Sequence, residues 1–167
     1  MIAITIHEKR EFLHVIKELL RVEPIWEMKQ YIQHGNTNTL THCLVVAYYS
    51  YRLALWLPMR FSFKSLIRGA MLHDFYLYDW HIPDKSHSLH GFVHPKFALR
   101  NARKYFVLDP IEEDIILKHM WPLTLTTIPS CREALLVCLV DKLCSLAETL
   151  YIPIQPKSSF FRALKTG

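Results

Sequence analysis

Glycine is scarce in this chain: four residues in 167. Antiparallel sheets depend on tight turns, and many of those turns call for glycine, which alone enters the left-handed backbone region at no steric cost. So few glycines also leave little with which to build the glycine-rich phosphate loops of parallel α/β folds. The expected fold class is therefore all-α. A chain of this length can bury a full core as one domain, and 51% hydrophobic residues excludes a disordered class.

Helical spacing is visible along most of the sequence. Residues 8–21 place Phe12, Val15, Ile16, Leu19 and Leu20 on one side. Pro24 interrupts, and a short helix is expected over 25–33, followed by a turn at Gly35-Asn36-Thr37-Asn38. Asn38 or Thr39 can cap a helix that runs to about 57 and stops before Pro58. The next helix spans 63–72 and ends at His73-Asp74. Residues 75–91 read as irregular, with Pro83 as a breaker. His94-Pro95 predicts the start of a helix reaching about 105, because proline suits a first helical turn. Asp109-Pro110-Ile111-Glu112 opens another, reaching about 119, with acidic residues where the helix dipole favours them. Residues 130–150 form a long pattern that is apolar nearly all round, which predicts a central helix. With no repeat or linker, the whole of 1–167 reads as a single domain. Its core covers about 38–150, helices in 8–33 pack on that core, and a basic tail over 152–167 is peripheral.

The net charge is +5 and no Lys/Arg run exceeds two residues, so nucleic acid is not an expected partner. No apolar stretch of about 18 residues predicts a membrane span. Cys43, Cys131, Cys138 and Cys144 form no Cys-x-x-Cys pair, and the N-terminus is charged too early for a secretory signal. Free thiols in a reduced cytoplasm are expected. The chain is expected as a monomer or a homodimer.

The chemistry gathers around ionisable residues inside apolar helices. His73-Asp74 follows the apolar run 66–72, and Asp141 interrupts the run 134–140. A buried carboxylate is costly unless it is paired, hydrogen-bonded or bound to a cation. A basic side chain or a backbone amide would serve Asp141; a divalent cation would serve both aspartates at once. His42, in the first turn of another apolar helix, adds a second imidazole. Such a mixed nitrogen and oxygen set suits iron, manganese, zinc or nickel better than calcium. Spread over three helices, it leaves coordination positions open for water and substrate.

In order and placement, His42, His73-Asp74 and Asp141 resemble the signature of the HD-domain metal-dependent phosphohydrolases, over residues 38–148. The resemblance implies a phosphodiesterase-like helical bundle holding one or two divalent transition metal ions. It also implies hydrolysis of a nucleotide or another small phosphorylated metabolite. His94 and His119 resemble the further ligands of two-metal members. Many of those carry another histidine where Met120 stands, and a thioether is a poor ligand for a hard divalent ion. Asp74 would bridge two ions and act as the catalytic residue that orients a water. Lys85 and Lys142 are candidate phosphate contacts, with Arg68 and Arg100 behind them. His81, His87 and His90 read as polar residues of a loop that Tyr76, Tyr78 and Trp80 pack onto the core. Met120 favours an alternative: a signalling module that binds metal or nucleotide without turnover.

Overall fold

The computed structural model describes residues 4–82 and 89–156. Helix α1 (Ile6–Leu20) starts at a capping box: the Thr5 hydroxyl accepts from the Glu8 amide and the Glu8 carboxylate accepts from the Thr5 amide. It buries Phe12, Val15, Ile16 and Leu19, the stripe its spacing predicts. A short α2 (Pro24–Glu27) and a 3-10 turn (Met28–Gln30) follow. Then come α3 (Thr39–Trp56), α4 (Phe63–Leu72), α5 (His90–Tyr105), α6 (Pro110–Lys118) and α7 (Arg132–Thr149). The all-α expectation holds; the one sheet among the described residues has two short strands.

Asn38 caps α3 by accepting from the Thr41 amide, and Asp109 caps α6 with a second capping box to Glu112. Helices α3, α4, α6 and α7 pack on one another and enclose Val45, Val46, Ile67, Met71, Ile115, Ile116 and Val137. Each such side chain contributes about 1.5–3 kcal/mol on burial. Gly69 lets α4 approach α6 closely, since a Cβ there would stand 2.5 Å from Ile115 Cδ1.

Three expectations need correction. The helix expected over 25–33 breaks early: Tyr31 is extended (φ −107°, ψ 128°), and β1 (Ile32–His34) pairs antiparallel with β2 (Thr37–Asn38). Gly35 turns that hairpin with φ +54°, and its missing side chain lets the tip sit against α7. A Cβ there would lie 2.7 Å from the Glu148 carbonyl oxygen. Helix α5 begins at His90, one turn before Pro95, which therefore sits inside it. The proline has no N–H to offer the Gly91 carbonyl, a single lost bond that the helix tolerates so near its start. Lastly, α7 is not apolar all round because it is central. Its inner face, with Val137, Val140, Asp141 and Cys144, is buried, while Leu135, Leu139, Leu143 and Leu146 are exposed.

No helix among the described residues is long and apolar enough to cross a membrane. The four cysteines are free, and Cys43, Cys138 and Cys144 are buried.

Candidate metal centre

Five helices deliver ionisable side chains to one buried point. His42 comes from the first turn of α3, His73 from the C-cap of α4 with Asp74 next to it, His94 from α5, His119 from the C-cap of α6 and Asp141 from the middle of α7. All six are buried. Helix ends account for His73 and His119: the chain leaves the helix there, so the side chain can turn into the space between helices.

The six fall into two groups that share Asp74. His42, His73 and Asp74 offer ligand atoms within 4.8 Å of one another, and so do Asp74, His94 and His119. Asp141 joins the first group, with Oδ1 at 3.1 Å from His42 Nε2 and 3.5 Å from His73 Nε2. The two oxygens of Asp74 divide between the groups. Oδ2 is 3.3 Å from His73 Nε2 and 3.8 Å from His42 Nε2. Oδ1 is 3.2 Å from His94 Nε2 and 3.5 Å from His119 Nε2.

Every one of the four rings is anchored through Nδ1. His73 reaches the Ala70 carbonyl at 2.7 Å, His94 the His90 carbonyl at 2.8 Å and His119 the Ile116 carbonyl at 2.9 Å. His42 reaches the Glu148 carboxylate at 2.8 Å. Carbonyl and carboxylate oxygens only accept, so Nδ1 carries the proton and Nε2 of each neutral ring aims a lone pair at the centre. This is the tautomer that metal-ligating histidines need, and an acceptor behind Nδ1 is what enforces it. Two buried atoms at the centre, His73 Nε2 and Asp74 Oδ1, have no hydrogen-bond partner. Unsatisfied, each costs about 1–3 kcal/mol or more; a divalent cation satisfies both. The residues therefore fit a metal ion, and the mixed imidazole and carboxylate set fits a transition metal.

The electrostatics point the same way. Burial raises the cost of ionising Asp74 and Asp141, yet the neighbouring histidines win and hold both carboxyls well below the usual range. Burial would lower His42, but its hydrogen bonds to Asp141 and Glu148 push it up to about 10. His73 is likewise raised, mainly by the charge of Asp74 working against burial. His119 goes the other way, down to about 4, because burial and the charges of His73 and His94 outweigh its bond to Asp74. The cluster is thus an anionic pocket that takes up positive charge, as protons or as a cation.

Three residues around the site escaped the sequence reading. Glu148 holds His42 from behind. Gln33, on β1, donates to Asp74 Oδ2 at 2.5 Å and accepts from the Tyr76 hydroxyl, so Tyr76 braces Asp74 through Gln33 rather than merely packing the loop. His34 lies beside His42, its ring centre 5.4 Å away, and burial lowers its pKa. The hairpin that carries Gln33 and His34 has one usable signal, the Gly35-Asn36 turn.

A cavity of about 400 Å³ opens onto the site and is lined by His34, Asp74, His94, His119, Asp141 and Lys142, among others. Lys142 sends its ammonium to the His119 carbonyl at 2.7 Å, at the cavity wall. Lys85 and His87 lie outside the described residues. Arg68 is far from this role: it pairs with Glu112 and the Val107 carbonyl. Arg100 lies over the Phe97 ring. His81 is exposed beside Asp79. His90 is not a loop residue; it opens α5 and stacks between Trp80 (5.1 Å) and His94 (4.5 Å).

Comparison of the chain with family models, curated proteins and solved structures finds no match. Its function is read from the residues.

Proposed function

We propose that this protein is a metal-dependent phosphohydrolase of the HD-domain type, acting on a nucleotide or another small phosphorylated metabolite. The observation that carries the proposal is the position of Asp74. One carboxylate stands between two groups of imidazoles, with a different oxygen toward each. That is the arrangement expected of a ligand shared by two ions.

Divalent ions, if held there, would supply a nucleophilic water at neutral pH and would draw charge from a phosphoryl oxygen. His42, His73, Asp74 and Asp141 would hold the first ion; Asp74, His94 and His119 would hold the second. Iron, manganese, zinc and nickel all suit these donors. Asp74, kept ionised by its histidine neighbours, suits the task of orienting the attacking water by accepting its hydrogen. Gln33 fixes the carboxylate in that pose. As the water oxygen adds to phosphorus, the bond to the leaving oxygen breaks, and the proton released passes to that oxygen. Lys142 and His34 line the cavity where the phosphate would sit.

Met120 lines the same cavity and supports a second reading. A methionine beside His119 gives the second ion one ligand fewer, which suits a module that binds a nucleotide without turning it over. Hydrolysis of a chromogenic phosphoester with added manganese, followed by a nucleotide panel, separates the two. The enzyme reading expects turnover that is lost in His73→Ala and Asp74→Ala variants. Stoichiometric metal with no turnover on any substrate favours the module. No bound metal at all rejects both.

A further inference from the structure

The outer face of α7 is as uniform as its inner face is charged. Between Glu133 and Glu148 every exposed residue is a leucine: Leu135, Leu139, Leu143 and Leu146. Leu150 continues the line at 60% exposure, and the four others are 52–58% exposed. At 100° per residue these five fall within an arc of about 80°. Lys142, the one lysine of the helix, sends its ammonium away from this face to the carbonyls of His119 and Cys138. Beside the stripe runs a groove of about 590 Å³ between α3 and α7, lined by Tyr49, Leu53, Trp56, Leu143 and Ile154, among others. Trp56 is 62% exposed at its edge.

We infer that this face is the interface between two copies of the chain, paired antiparallel about a two-fold axis through α7. The spacing argues for a second copy. Leu139, Leu143, Leu146 and Leu150 are separated by four, three and four residues, a series that reads the same in both directions. An antiparallel mate therefore presents the same spacing, with Leu143 opposite Leu146 of the partner subunit and Leu139 opposite Leu150 of the partner subunit. A two-fold interface requires such a self-complementary patch. The size argues the same way. The five leucines and Trp56 offer on the order of 700 Å² of apolar surface, close to the roughly 800 Å² that one side of a standard interface buries. A monomer seldom leaves so large a patch uncovered. A membrane-docking helix would carry Lys or Arg along its polar edges. Here the exposed residues from 133 to 148 include none; the nearest cations are Arg132, at the first residue of the helix, and Arg52, on the groove wall.

Sedimentation of the full chain tests this. The expected mass is twice 19.8 kDa. L143E/L146E and L143K/L146K should each be monomeric, with the dissociation constant raised about 100-fold. Mixing the two should restore the double mass, because the pairing sets residue 143 against residue 146 of the mate. Helical circular dichroism and metal content should be unchanged, since both leucines face away from the site. Should the charged variants misfold, L143A/L146A keeps the test alive: its dimer must be weaker than that of the wild type. A wild-type monomer at roughly 100 µM, charged variants that remain dimeric, or a wild-type monomer that binds anionic phosphatidylglycerol vesicles instead would each overturn the inference.

Discussion

His94 and His119 meet Nε2 to Nε2 at 2.8 Å, although each ring has committed its Nδ1 proton to a backbone carbonyl. Two neutral imidazoles so placed set lone pair against lone pair inside a buried site. The contact is relieved only by a positive charge between them, and Asp74 Oδ1 stands within 3.5 Å of both.

The first prediction concerns that charge. Transition metal added to chelator-treated protein should raise the melting temperature, by the equivalent of about 2.7 kcal/mol once the free metal reaches a hundred times its dissociation constant. His94→Ala/His119→Ala should lose one metal equivalent and keep the other, whereas His42→Ala/Asp141→Ala should remove the tighter one. Met120→His should raise occupancy of the weaker position. Elemental analysis of untagged protein checks all three.

Glu148 reaches the ligand set through His42, whose Nδ1 it holds at 2.8 Å. Glu148→Ala should weaken metal binding about 10–100-fold while leaving the helix content intact. Competition against a chromophoric chelator measures the change. An affinity equal to that of the wild type would mean that the ring of His42 is aimed by its packing alone.

Gly69→Ala should destabilise the fold by about 1–3 kcal/mol, since the new methyl meets the Ile115 side chain at 2.5 Å and 2.9 Å. Adding Ile115→Val should recover part of the loss by removing the Cδ1 methyl. Urea denaturation of the two variants decides whether α4 and α6 are as closely opposed as their backbones place them.

Asp114 supplies a pH test remote from the metal. Burial opposes its ionisation, but the Lys118 ammonium at 2.5 Å and the amides of Ser130 and Cys131 prevail and lower its pKa. A carboxyl whose native pKa is depressed binds protons less readily folded than unfolded. Its stabilisation is therefore complete above its ordinary value of 3.8 and disappears as the pH drops through the lower native value. The stability gap between wild type and Asp114→Asn should thus be constant from pH 7 to about 5 and close as the pH falls below the ordinary value of 3.8.

Much of the site was legible beforehand, for one physical reason. An ionisable side chain inside an apolar run needs a partner, and Asp141 and His73-Asp74 announce themselves that way. Glu148 does not, because a glutamate in the last turn of a helix reads as an ordinary solvated residue; only the tertiary fold reveals it as buried. Gln33 and His34 were hidden for a different reason. The stretch up to Gln33 carries a helical pattern, and the hairpin packs on α3 and α7 through contacts that no local signal encodes. The leucines of α7 misled in the opposite sense. Leucine at every outward position reads as burial on all sides, and local periodicity cannot tell a core from a surface covered by something else.

Three of the four ring anchors are carbonyls in the same helical segment as the ring: Ala70 for His73, His90 for His94 and Ile116 for His119. Each helix thus carries its imidazole already aimed, before any neighbour arrives. Zinc fingers wait for their ion in order to fold. Here the aiming is local and the framework apolar, so loading is a docking event rather than a folding event. Exchanging one transition metal for another should leave the helical scaffold undisturbed.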